Sequence, residues 1–223
     1  MTTFYMVYYK ILCLTRKQKN MLNKILKLII LAPLLIATTC EDNFEKSTLI
    51  FNVYKAKITP ESSFSINDTI WISAKVSSYV FDESVNDSIF IDNAQTDDFS
   101  IYKFIEPTEV TNCKDAIDSF ELLIDRGQFS FIPSCENGLL QAFPELDNNN
   151  AFYSYRIGLK PTVTGDYVIS WRNGILQNSN RNEFIIAKYP IKNHPNQIGF
   201  NSCGNVSWRY LNESDKEFYF TIE

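Results

Sequence analysis

Residues 69–81 alternate apolar and polar side chains, with Ile70, Ile72, Ala74, Val76 and Val80 on one side and Trp71, Ser73, Lys75, Ser77 and Tyr79 on the other. A period of two belongs to a strand that buries one face and wets the other, because successive Cβ atoms point to opposite sides of a sheet. The same period recurs at 100–105, 128–132, 152–159, 167–172, 183–188 and 217–222, and strands are also expected at 49–58 and 88–91. Asn, Asp, Gly and Pro separate these runs, as turns require, and the Asp-Asn-Asn-Asn run at 147–150 reads as an exposed turn. Helical character is confined to pieces near 114–122 and 137–143, too short to stand alone. Without crossover helices the chain is expected to be all-β: an antiparallel two-sheet β-sandwich with short helical turns in its loops. No internal repeat or linker divides residues 49–223, which are expected to form one domain.

Residues 159–171, Leu-Lys-Pro-Thr-Val-Thr-Gly-Asp-Tyr-Val-Ile-Ser-Trp, carry a Tyr shortly after a Gly at the start of an alternating run. The segment resembles the turn into a late strand of immunoglobulin-like domains, where such a Tyr folds back to hydrogen-bond upstream backbone. The resemblance implies an immunoglobulin-like sandwich. Alternation places Tyr167, Ile169 and Trp171 together on a core face.

The first forty residues read as an address. Lys24 and Lys27 precede an apolar run at 28–37, and small residues lead to Cys40, which is signal-peptide anatomy. A run of about ten residues extends roughly 15 Å as a helix, half of a bilayer core of about 30 Å, and Pro33 interrupts it. It is too short to be a spanning anchor. Met21 is the expected true start, within a signal peptide covering 1–39. The Cys at the cleavage boundary makes the segment resemble a bacterial lipoprotein signal, and Glu41, Asp42 and Glu45 resemble the acidic stretch of surface-exported lipoproteins of the Bacteroidota. The resemblance implies lipidation of Cys40, a tether over 40–48, and a place on the outer membrane or cell surface of a Gram-negative bacterium. One acyl chain binds a membrane only marginally, with K on the order of 10⁴ M⁻¹, so stable anchoring needs a multiply acylated Cys40.

From Cys40 onward the chain holds 15 basic and 26 acidic residues, a net charge of −11. So acidic a body repels phosphate backbones, and nucleic acid is not an expected partner. A single His, His194, leaves no His-rich metal site and little material for a Ser-His-Asp triad. No orienting motif accompanies His194 and Cys203, so a nucleophilic pair is not expected.

Outside the cytosol, two of Cys113, Cys135 and Cys203 can pair. Cys113 with Cys135 is the leading choice, because they are nearest in sequence and would close a loop of about 22 residues, worth roughly 3 kcal/mol. Acids gather at Asp82, Glu83 and Asp87 and at Asp92, Asp97 and Asp98, but without the D-x-D-x-D-G spacing that aims carboxylates at one calcium ion. Both groups are expected at solvated edges, and no metal or other cofactor is expected. Aromatic residues make up 14% of the chain, and flat rings beside polar neighbours suit sugar stacking. Trp71 and Tyr79, and Trp208 with Tyr210, are the candidate ligand-binding residues.

These features point to a non-catalytic, lipid-anchored module of the cell envelope whose partners are the membrane and a glycan or an envelope protein. Two alternatives remain open. One is a carbohydrate-binding accessory lipoprotein. The other is a secreted hydrolase with two carboxylates about 5–9.5 Å apart, one of them with a raised pKa.

Overall fold

The computed structural model describes residues 48–195, 197–209 and 215–223, with side chains described except at 207–209. The signal at 1–39, Cys40, the tether as far as residue 47, Tyr210 and the Trp208 side chain lie outside the described residues. Thr48–Glu223 cluster as one unit. Strand makes up 56% of the structure against 5% helix, so the fold is all-β.

The strands are β1 (Leu49–Ile50), β2 (Lys55–Ile58), β3 (Ser63–Phe64), β4 (Ile70–Ser77), β5 (Tyr79–Asp82), β6 (Asp87–Phe90), β7 (Asp97–Phe104), β8 (Cys113–Asp115) and β9 (Phe120–Arg126). They continue with β10 (Gln128–Ile132), β11 (Cys135–Phe143), β12 (Glu145–Leu146), β13 (Phe152–Pro161), β14 (Gly165–Trp171), β15 (Ile175–Leu176), β16 (Ile198–Ser202), β17 (Asn205–Arg209) and β18 (Glu217–Ile222). A 3₁₀ turn spans Ile117–Ser119, and a helix, α1, spans Glu183–Lys188.

Two large sheets face each other. The six-stranded sheet runs β12-β13-β4-β2-β15, with β9 also on β13. The nine-stranded sheet runs β17-β16-β8-β7-β14-β18-β3, with β11 on β7 and β10 on β11. A smaller sheet, β1-β5-β6, stands apart from both. Pairing is antiparallel except at β15 with β2, β16 with β8 and β18 with β3. The main core unites Ile70 and Ile72 of β4 and Tyr155 and Ile157 of β13 with Phe99 of β7, Ile169 and Trp171 of β14 and Phe220 of β18. Tyr167, Ile169 and Trp171 share the core face that alternation assigns them, all without exposed surface. Tyr167 Oη donates to the Val163 carbonyl at 2.8 Å, the backward bond expected at this turn.

The outer faces of the two sheets differ. The outer face of the nine-stranded sheet carries a second apolar cluster, Tyr102, Phe104, Val168 and Tyr219, covered by Ile185 and Ile186 of α1 and by Tyr189. Covered on both sides, β7, β14 and β18 are almost continuously buried. In the six-stranded sheet β2 and β4 keep a buried-exposed alternation, which one wet face demands.

Four expected elements are corrected. Residues 183–188 form α1, not a strand: the Asn182 side chain accepts from the Phe184 and Ile185 backbone N–H groups, a helix N-cap. So short a helix is stable only by docking, and Lys188 Nζ and Tyr189 Oη both donate to the buried Asp166 at 3.1 Å. Residues 137–143 belong to β11 rather than a helix, and near 114–122 only the 3₁₀ turn is helical. The expected strand over 69–81 breaks at buried Ser78, whose Oγ donates to the Asn150 carbonyl at 2.5 Å, and β5 leaves for the small sheet.

Candidate binding face

The polar side of β4 takes part in a shallow, open groove of about 490 Å³ on the outer face of the six-stranded sheet. Lys55 and Lys57 come from β2, Lys75 from β4, Arg156 from β13, and Asp125 and Arg126 from β9. Register brings them together, because directly opposed residues of antiparallel strands share a face. Lys55 lies opposite Lys75, and Lys75 opposite Ser154. Lys57 lies opposite Ser73, Ser73 opposite Arg156, and Arg156 opposite Arg126. Register shifts next to Arg156, leaving Asp125 as the extra residue of a bulge. The two rows therefore set like charges face to face at Lys55/Lys75 and at Arg156/Arg126, an arrangement that costs folding energy.

Neutralisation within this face is sparse. Arg156 Nη1 meets Asp125 at 3.0 Å, and Arg126 Nη2 donates to the Leu146 carbonyl at 3.3 Å. Buried Arg126 Nε has no acceptor among the described residues. Lys75 Nζ sits 5.1 Å from the centroid of the Phe152 ring. None of Lys55, Lys57 and Lys75 has a carboxylate within ion-pair distance among the described residues.

Trp71 borders this groove, half-buried rather than open. The Arg156 guanidinium lies 4.0 Å from its ring centroid, a cation–π contact. Its cross-strand partner is Gly158, where an added Cβ would come within 3.1 Å of the ring and 2.7 Å of Thr69 Cγ2, so glycine gives the indole room on the neighbouring strand. Trp71 thus serves first to hold Arg156 flat. Tyr79, expected on the same strand, is instead on β5, 47% exposed and edge-on to Phe90. Trp208 belongs to edge strand β17 of the nine-stranded sheet, not to the sheet that carries Trp71. The cation cluster was missed in the sequence because its members come from four strands spread over about a hundred positions. Lys55, Lys57 and Lys75 on exposed strand positions were the available signal.

The cysteine pairing is also corrected. Cys135 bonds Cys203, joining the start of β11 to the turn between β16 and β17 with Cα atoms 5.4 Å apart. Cys113 is fully buried in the cluster beneath α1, and burial holds its thiol well above the usual range. Proximity in sequence misled because β16 pairs with β8 and brings the 203 turn close to Asp115. The Cys203 backbone N–H donates to Asp115 Oδ2 at 2.8 Å. Asp115, Cys135 and Cys203 form the metal-like grouping found among the described residues, but the disulfide consumes both thiolates that a metal would need. The same bond removes Cys203 as a nucleophile.

The acid groups also depart from expectation, since Asp97 and Asp98 are buried rather than solvated. Asp97 Oδ2 accepts from Tyr155 Oη at 2.7 Å and Trp171 Nε1 at 3.2 Å, and burial raises its pKa from 3.8 to about 6. With no exposed surface, this carboxyl organises the core and does not face a substrate.

Searches against family models, curated proteins and solved structures find nothing that matches this chain. No helix among the described residues is long and apolar enough to cross a membrane.

Proposed function

We infer that this chain is a lipid-anchored, non-catalytic binding module of the bacterial cell envelope, held at Cys40 and working through the outer face of its six-stranded sheet. The observation that carries the binding role is the contrast between outer faces: one is capped by α1, while the other is open and crowded with cations. Crowding like charges in register is unfavourable for the fold alone, so a bound partner that relieves it explains why the arrangement is tolerated. The signal segment supports the anchor.

The test has two arms. In the native host, wild type should sediment with membranes and Cys40→Ala should be released; Cys40→Ala fractionating like wild type would overturn the anchor. Crosslinking from the exposed Lys57 position should trap an envelope component, whereas a probe at exposed Phe184 on the opposite cap should not. Equal trapping from both positions would remove the six-stranded face as the working surface. A carbohydrate partner is favoured over a protein one by the groove's openness and its lining of charged and hydroxyl side chains, with Trp71 stacked on Arg156 beside it.

A further inference from the structure

The geometry points to an acidic polysaccharide as the occupant of the groove on the six-stranded sheet, its carboxylate or sulfate groups received by Lys55, Lys57, Lys75, Arg126 and Arg156. This rests on the reading of that face as the binding surface and names the ligand class.

Charge complementarity is the first argument. Five cations and one acid line the groove, whereas the chain from Cys40 onward has nearly twice as many acids as bases. Among the described residues only Arg156 of these cations is in an internal ion pair, with Asp125. Among the described residues Lys55, Lys57 and Lys75 meet no carboxylate, and Arg126 Nε has no acceptor.

Preorganisation is the second. Arg156 is fixed between the Trp71 ring and Asp125, yet its side chain remains 45% exposed. A guanidinium locked in one plane with an open edge is suited to the planar fork of a carboxylate and loses little freedom on binding. Shape is the third. The groove crosses β2, β4, β13 and β9, about 14 Å at the usual strand spacing, and is open rather than enclosed. That form fits several linked rings lying across the strands better than one small anion. Nucleic acid, with a charge every ~1.7 Å, would meet the acidic remainder of the surface along its length; a polymer charged once per sugar or more sparsely meets it far less.

The deciding variant is Lys55→Glu. It puts an opposite charge directly across from Lys75, which should raise the melting temperature while weakening acidic ligands. A merely structural role for the lysine cannot produce both changes. Full-length protein in detergent would be titrated by affinity electrophoresis with polygalacturonate, alginate and dextran sulfate. Controls would be methyl-esterified polygalacturonate, inorganic phosphate and phosphatidylglycerol vesicles. At least one acidic polymer should retard wild type, the esterified polymer should not, retardation should fade with salt, and Lys55→Glu should weaken it by about tenfold. Lys57→Gln, at a side chain with no hydrogen bond or ion pair among the described residues, should weaken it by a smaller factor. Retardation by none of the three polymers, equal retardation by the esterified one, or unaltered affinity in Lys55→Glu would overturn the proposal. Binding to vesicles or phosphate without binding to polymer would overturn it in favour of a headgroup. Failure of Cys40→Ala to leave the membrane removes the anchor and leaves these binding results standing.

Discussion

The two large sheets solve the same problem at their outer faces in opposite ways. The nine-stranded sheet places Tyr102, Phe104, Val168 and Tyr219 outward and must cover them, which α1 does with Ile185, Ile186 and Tyr189. The six-stranded sheet places Lys55, Lys57, Ser73, Lys75 and Arg156 outward and needs no cover. The apolar burden and the charged surface are thereby separated onto different layers. The Cys135–Cys203 bond lies within the covered sheet, tying β11 to the β16–β17 turn, whereas the open sheet carries the opposed like charges.

That separation can be broken from the covered side. Cys203→Ser removes a crosslink across 68 residues and should cost about 4 kcal/mol in urea unfolding. A loss no larger than that of an ordinary surface substitution would show that the nine-stranded sheet does not depend on its edge tie. Ile186→Ala should cost about 3 kcal/mol, because it opens a cavity under α1 against the outer cluster. Lys57→Ala on the open face should stay within about 0.5 kcal/mol. Similar losses for these two variants would erase the distinction between the layers.

Asp97 sits at the join between the layers, bonded to Tyr155 of the six-stranded sheet and Trp171 of the nine-stranded one. Its folded pKa of about 6 exceeds the ordinary 3.8, so the folded state holds the proton more tightly than the unfolded chain. Its contribution to stability is therefore greatest below about pH 3.8 and declines as pH rises to about 6, by roughly 3 kcal/mol at 1.36 kcal/mol per unit. Subtracting the unfolding profile of Asp97→Asn from that of wild type should isolate this slope; parallel profiles between pH 4 and 6 would contradict it. The smallest effect belongs to the open face, where Lys55→Glu opposite Lys75 should stabilise by about 0.5 kcal/mol. Destabilisation by that change would mean the lysine pair is not in electrostatic conflict.

How much of this was legible in the sequence follows from the range of the forces involved. Alternation in β4 marked the inward face, and the run into β14 marked Tyr167, Ile169 and Trp171 as core. In the doubly covered sheet the same reasoning weakens, because a strand buried on both faces has no polar side to alternate with, as β7 and β18 illustrate. The segment Glu183–Lys188 was misread because its apolar pair, Ile185 and Ile186, suits a strand as well as a helix docked by one side. Its helical state comes from the Asn182 cap and the Asp166 anchor, and the anchor is invisible without the fold.

The candidate groove was legible only in fragments. Trp71 and Lys75 were placed on the polar face, but their meeting with Arg156 and Arg126 depends on β13 lying between β4 and β9. Tyr79 was lost from that face when the chain turned at Ser78.

By itself the amino-acid order determined the all-β class, the core side of its regular strands and the acidic balance, because these depend on neighbours one or two positions apart and on simple counting. Tertiary structure alone decided the Cys135–Cys203 pair, the helix over the nine-stranded sheet and the gathering of five cations on the six-stranded one. Each of those brings together residues tens of positions apart, and strand order and register, not local preference, set which distant side chains meet.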